Sequence, residues 1–125
     1  SKNIVLIATG TGIAPIKALL ESFDYKLSDK NIFVVWGGRY KKDLYFDLEQ
    51  IDLEFHYIPV LSRISEDGFS FGYVQHAVLN IGLDLLDTTV YACGSVTMIN
   101  SAYELLVENG LLPENFHSDA FVSSN

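Results

Sequence analysis

Short apolar runs alternate with helical patterns along this chain of 125 residues. The first run, Ile4–Ala8, is unbroken and too short for a helix, which is typical of a strand buried on both faces. Apolar residues at helical spacing follow from Ile13 onward. Pro15 suits the first turn of this helix, because the N–H that proline lacks has no partner there in any case. The chain therefore begins with a predicted strand, turn and helix.

The same alternation continues to the C-terminal end. Further strands are predicted at Ile32–Trp36, Phe55–Val60, Val90–Cys93 and Phe116–Val122. Further helices are predicted around Leu44–Ile51 (capped by Asp43), Val74–Ile81 and Met98–Leu106 (ended by Gly110). This order predicts an α/β fold, a doubly wound five-stranded parallel sheet with helices on both faces.

Three of the predicted strands end in glycine turns, at Gly10–Gly12, Gly37–Gly38 and Gly94. In a parallel sheet these turns lie at one edge, where ligands bind to such folds. A glycine turn that leads into a helix exposes backbone N–H groups at the positive end of the helix dipole, which suits a diphosphate. The three turns together predict a nucleotide cleft.

Other nucleotide and catalytic motifs are absent. The usual dinucleotide fingerprint would place glycine at position 15, where Pro15 stands, and an acid at the end of the second strand, where Gly38 and Arg39 stand. The chain has no phosphate-binding P-loop and no G-x-S-x-G nucleophile elbow. Its histidines share no spacing that indicates a metal site, so no metal ligand is expected; they are His56, His76 and His117.

Composition narrows the possible partners. The net charge of −8 argues against nucleic acid as a partner, because nucleic-acid binding needs a basic surface to displace counterions. No apolar run is long enough to span a membrane, and one cysteine fits a reducing compartment, so a cytoplasmic protein is expected. An anionic nucleotide must be held mainly by backbone amides and a few cations.

Five motifs match one known family in order and spacing. They are Gly10–Pro15, Trp36–Arg39 with Asp43–Tyr45, Pro59–Arg63, Gly72–Val74, and Tyr91–Ser95 with Met98. In these motifs the chain resembles the pyridine-nucleotide domain of the ferredoxin–NADP reductase superfamily over essentially all its residues. The ending Asp119–Phe121 is most similar to the flavin-reductase and oxygenase-reductase branch, which includes glucoseen-reductase-like proteins.

The resemblance implies a flavin-dependent NAD(P)H oxidoreductase, in which nicotinamide passes a hydride to FAD or FMN. Family members hold the flavin in an antiparallel barrel that precedes this domain, and no barrel sequence is present here. We therefore expect residues 1–125 to be the NAD(P)-binding, C-terminal part of a longer reductase, inactive when isolated. The electron acceptor stays open among free flavin, ferredoxin, an oxygenase component and a cytochrome.

The resemblance also implies a set of site residues. The first glycine turn would pass under the diphosphate, Ser62 and Arg63 would lie beside the adenosine ribose, and Cys93 would be the catalytic residue that helps to position nicotinamide. For Arg39, bracing of the turn at Lys41–Asp43 is an alternative role. The expected cofactor-binding residues are Gly10, Thr11, Gly12, Ile13, Ala14, Pro15, Gly38, Arg39, Ser62, Arg63, Tyr73, Cys93, Gly94, Ser95, Met98 and Phe121.

Three questions stay open at this point. NADH is favoured slightly over NADPH, because the basic residue that NADP-using members place just before Tyr73 is absent, with Ser70 and Phe71 there instead. A non-catalytic regulatory module that binds an adenine nucleotide would use the same cleft. A thiol enzyme with Cys93 as nucleophile is the third alternative, although no histidine or base is apparent as its partner.

Overall fold

The computed structural model describes residues 1–23, 29–45, 48, 51 and 53–120. Within these residues the strands are β1 (Asn3–Thr9), β2 (Asn31–Gly38), β3 (His56–Leu61), β4 (Ser70–Phe71), β5 (Thr88–Gly94) and β6 (Phe116–Ala120). The α-helices are α1 (Ile13–Ser22), α2 (Val74–Ile81) and α3 (Val96–Glu108). Short 3₁₀ turns lie at Gly10–Gly12, Lys41–Asp43, Leu85–Asp87 and Pro113–Asn115.

The strands form one parallel sheet in the order β4-β3-β2-β1-β5-β6. The chain builds outward from β1 through β2, β3 and β4, and then crosses to the other side of β1 to add β5 and β6. This reversal makes the carboxyl ends of β1 and β5 a topological switch point, where a crevice opens for a ligand.

Helices cover both faces of the sheet, as predicted. On one face, α1 packs through Ile13 and Ile16 against strand residues such as Leu6. On the other face, α2 and α3 pack against the alternate strand residues, including Val5 and Ile7. Because β1 is buried on both faces, all its central residues are apolar.

The prediction of five strands was wrong by one, since the described residues form six. The additional strand, β4, has two exposed residues, Ser70 and Phe71, which pair with the end of β3. So short a segment carries no apolar alternation that would reveal it. The predicted helix at 44–51 falls partly outside the described residues, as do the last two residues of the predicted final strand.

Polar side chains connect the central strands at the amino edge of the sheet. The Asn31 side-chain amide donates to Asn3 Oδ1 at 3.0 Å, and Asn3 Nδ2 donates to Thr88 Oγ1 at 3.4 Å. The Thr88 hydroxyl in turn donates to the Asp84 carbonyl at 2.7 Å. Asn3 and Thr88 are both buried, so these bonds satisfy groups that water does not reach.

Candidate functional site

A cavity of about 720 Å³ opens at the carboxyl edge of the sheet, beside the switch point. The turn after β1, the ends of β2 and β3, and the first residues of α2 and α3 surround it. Eight of the sixteen expected cofactor-binding residues line this cavity: Gly10, Thr11, Gly38, Arg39, Ser62, Tyr73, Ser95 and Met98. The structure therefore brings half of the expected residues together around one cavity.

The other expected residues lie elsewhere. Gly12, Ile13, Cys93 and Gly94 are buried, and Ala14, Pro15 and Arg63 are exposed without lining the cavity. Phe121 lies outside the described residues. The cavity is also lined by residues outside the expected set: Thr9, Gly37, Lys42, Asp43, Tyr45, Gly72, Val74, Gln75, Thr97 and Ser101.

Two buried glycines allow the backbone under the cavity to pack closely. A Cβ atom at Gly12 would overlap the Cys93 carbonyl and would lie 2.6 Å from its carbon. A Cβ atom at Gly94 would overlap the Thr9 hydroxyl and would lie 2.7 Å from Cε of Met98. The turn after β1 can therefore meet the backbone at the end of β5 only because Gly12 has no side chain, whereas the atoms closest to Gly94 belong to the side chains of Thr9 and Met98.

A second pair of glycines shapes the wall beside β2. A Cβ atom at Gly37 would lie 2.6 Å from Cγ1 of Val74, and one at Gly38 would lie 2.8 Å from Cβ of Asp43. The Gly38 carbonyl accepts a hydrogen bond of 3.0 Å from the Ser62 N–H. This bond continues the pairing of β2 and β3 beyond their ends and fixes Ser62 at the rim of the cavity.

The N-terminal end of α3 faces the cavity. Ser95 caps this 13-residue helix, because its hydroxyl oxygen accepts from the Met98 N–H at 3.2 Å. Thr97 and Ser101, one helical turn apart, present two further hydroxyl groups to the same space. Hydroxyl donors and the positive end of a helix dipole together favour an anionic ligand here.

Arg39 and Lys42 bring positive charge to the cavity wall, where Asp43 also lies. The Asp43 carboxylate accepts 3.0 Å hydrogen bonds from the backbone N–H groups of Arg39 and Tyr40. Asp43 was predicted to cap an α-helix, but its carboxylate instead closes the short 3₁₀ turn in which it lies. The backbone of Arg39 is thus braced by this turn while the residue itself lines the cavity.

Cys93 lies at the end of β5 and is 8% exposed. Burial, and secondarily the charge of Asp119 opposite it on β6, raise the pKa of the Cys93 thiol above its ordinary value. The thiol therefore stays protonated at neutral pH, which disfavours the role of nucleophile. Within the described part of the chain, no group of three or more His, Cys, Asp or Glu side chains is placed to hold a metal ion.

Residues 6–104 match the sequence model of a protein family that is described as the oxidoreductase NAD-binding domain. The chain belongs to this family, which confirms the resemblance drawn from the sequence. It is 39% identical over 129 residues to Protein RfbI of Salmonella typhimurium, covering 99% of this chain and 39% of that protein. It is 36% identical over 126 residues to the CDP-6-deoxy-L-threo-D-glycero-4-hexulose-3-dehydrase reductase of Yersinia pestis, covering 97% of this chain and 38% of that protein.

A solved structure shares the fold. The cytochrome P450 reductase GcoB of Amycolatopsis superimposes with a TM-score of 0.84 at 21% identity, over 98% of this chain and 38% of that one. The chain thus spans less than two fifths of the length of these three proteins. No helix among the described residues is both long and apolar enough to cross a membrane.

Proposed function

We propose that residues 1–125 form the NAD(P)-binding domain of a longer, flavin-dependent NAD(P)H oxidoreductase, and that the coenzyme occupies the cavity at the switch point. The observation that carries this proposal is the convergence of the glycine-bearing ends of β1 and β2 and the N-terminus of α3 on one cavity. The Yersinia relative is itself a reductase by name, which favours an oxidoreductase over the non-catalytic regulatory alternative.

The diphosphate is assigned to the turn after β1. Gly10 and Thr11 line the cavity, and Thr11 offers both a backbone N–H and a hydroxyl. The Ser95 end of α3 faces the same space and adds its dipole. Gly12 supports this site without lining it, because the absence of its side chain lets the turn approach β5.

The adenosine end is assigned to the side of β2 and β3. Gly38 at the end of β2, together with Arg39, Ser62 and Tyr73, lines the cavity there, and Arg63 lies on the loop after β3. The Arg63 N–H donates to the Arg39 carbonyl at 3.1 Å, so the two loops run side by side. We propose NADH as the preferred coenzyme, since Ser70 and Phe71 stand where NADP-using members place a basic residue before the tyrosine.

The nicotinamide end is assigned to the region of Cys93, Gly94 and Ser95, with Met98 below it. Ala14 and Pro15 at the start of α1, together with Phe121, complete the proposed contact with the ring and the flavin. Reduced nicotinamide supplies a hydride to the flavin when both cofactors are bound. The residues of this domain bind and orient the coenzyme, and the transfer requires no acid or base from them.

The proposed partners follow from this assignment. A flavin-binding barrel of the same protein would hold FAD or FMN against the nicotinamide end. Reduced flavin would then pass electrons to free flavin, a ferredoxin or an oxygenase component. The single cysteine is consistent with a reducing compartment, and we propose the cytoplasm.

Calorimetric titration of this chain with NADH and with NADPH tests the proposal. We expect both to bind, NADH more tightly, and Ser101→Leu to weaken binding because a leucine side chain would enter the cavity. Asn100→Leu is the matched control, since Asn100 is exposed on the same helix and does not line the cavity. Absence of binding at millimolar NADH, or equal binding by the two variants, would contradict the proposed site.

A further inference from the structure

Trp36 connects the hydrophobic core to the proposed diphosphate site. It is the largest of the fully buried side chains and does not line the cavity. Its indole Nε1–H donates to the Gly10 carbonyl at 3.3 Å, across 26 positions of sequence. The carbonyl of a residue that lines the cavity is therefore held by a group in the interior.

This bond also determines where the next N–H points. In a trans peptide the C=O of one residue and the N–H of the next point in opposite directions. Because the Gly10 carbonyl accepts from the buried indole, the Thr11 N–H is directed away from that indole, and both residues of this peptide line the cavity.

The Gly10–Thr11 peptide needs such a constraint. Gly10 has a φ of +56°, a conformation that residues with side chains rarely adopt, and a Cβ atom at this position would meet nothing within 4 Å. Glycine adopts several backbone conformations at little cost. A rotated peptide would present the carbonyl oxygen to the cavity, and its partial negative charge would repel a diphosphate.

We propose that Trp36 is a positioning residue for coenzyme binding: its indole N–H fixes the Gly10–Thr11 peptide so that the Thr11 N–H is available to the diphosphate. The inference rests on the proposed function, because it takes the cavity as the coenzyme site. Tyr45, which lines the cavity, packs edge-on against Trp36 with ring centroids 5.4 Å apart. The same indole therefore also supports the part of the cavity wall that Tyr45 forms.

The test replaces the indole N–H by sulfur with little change of shape. Trp36 is the only tryptophan of the chain, so biosynthetic incorporation of 3-benzothienylalanine changes this residue alone. We expect the affinity for NAD⁺ and for ADP to fall about 3- to 10-fold, as for loss of one hydrogen bond. Adenosine, which has no diphosphate, should bind as before, and the thermal midpoint should fall by only a few degrees, as for the loss of one hydrogen bond.

Incorporation of 4-fluorotryptophan, which keeps the N–H, is the control and should leave all affinities unchanged. Unchanged NAD⁺ affinity in the sulfur analogue would overturn the inference, and so would an equal loss for adenosine, which indicates a general structural role. If the unsubstituted chain binds neither NAD⁺ nor ADP, the proposed function itself fails, and this outcome is distinct from the other two.

A measurement on the unsubstituted chain does not depend on the folding of the analogue. In ¹H–¹⁵N NMR spectra, inorganic pyrophosphate should shift the Thr11 amide resonance. The indole N–H resonance can be assigned to Trp36 without ambiguity, because the chain has one tryptophan. A Thr11 amide that does not respond to pyrophosphate, while other amides of the turn do, would overturn the assignment of that N–H.

Discussion

The close approach of two backbone segments under the cavity makes Gly12→Ala the most informative substitution. Gly12 has ordinary helical backbone angles, with φ −59° and ψ −15°, so alanine is not excluded by conformation. The obstacle is space, because the added Cβ would overlap the Cys93 carbonyl and lie 3.1 Å from the Gly94 nitrogen. Both neighbours are backbone atoms at the end of a central strand, and they cannot move as a side chain does.

The expected cost follows from these distances. An added methyl 2.6 Å from the Cys93 carbonyl carbon must be moved by about 1 Å to reach ordinary van der Waals separation. Overpacking of this kind costs about 1–3 kcal/mol, and we expect a value near 3 because the backbone itself must shift. A domain stable by about 5–15 kcal/mol would still fold. The shifted turn should weaken NADH binding about ten-fold, the equivalent of one hydrogen bond to a charged group.

Urea unfolding and calorimetric titration with NADH measure the two effects. Gly68→Ala is the control: Gly68 has a φ of +85° with open space around it and does not line the cavity. Its substitution should cost about 1–2 kcal/mol through backbone conformation alone and leave NADH affinity unchanged. If Gly12→Ala retains both stability and affinity, or if the two variants lose affinity equally, the argument from close approach is wrong.

Three further predictions concern other parts of the molecule. Asp119→Asn should accelerate alkylation of Cys93 by iodoacetamide near pH 8, because it removes one of the two causes that raise the thiol pKa; an unchanged rate–pH profile would contradict this. Thr88→Val should lower the free energy of unfolding in urea by about 1–3 kcal/mol, since it removes the buried acceptor of the Asn3 amide; a neutral effect would contradict the assigned hydrogen bonds. Tyr57 is 37% exposed, and burial of the rest of the residue raises its pKa to about 12. The unfolded state loses this proton from about pH 10, before the folded state does, so stability should fall between pH 10 and pH 12. Tyr57→Phe should reduce that fall in urea unfolding at alkaline pH, and identical pH dependence in the two proteins would refute it.

The sequence predicted the central strands well because their surroundings are simple. β1 lies between two strands and two helical layers, and burial on both faces imposes an unbroken apolar run such as Ile4–Ala8. The glycine turns were also predicted from the sequence, because a glycine directly after an apolar run indicates the end of a strand. Alternation of these strands with helical patterns then identified the parallel sheet and the edge at which its cavity opens.

Structural features that depend on contact with one other element of the fold were not predictable from the sequence. β4 is a strand only because two residues pair with the end of β3, and nothing in Ser70 or Phe71 themselves indicates this. The hydroxyl groups of Thr97 and Ser101 line the cavity because α3 begins at its rim. Their spacing of four residues places them on one helix face, but the sequence does not say which face the cavity meets.

The two glycines of the turn after β1 have different structural roles, although they belong to one sequence motif. Gly10 lines the cavity and adopts a positive φ. Gly12 is buried, and glycine is needed there because a Cβ atom would overlap the carbonyl of Cys93. Both belong to the same sequence motif, and both were expected to bind the coenzyme. A motif records which residue types a site needs, without distinguishing those that face a ligand from those that let the backbone come close enough to build the site. In this chain that difference is measurable, because substitution of Gly12 must disturb strand packing before it can affect any ligand.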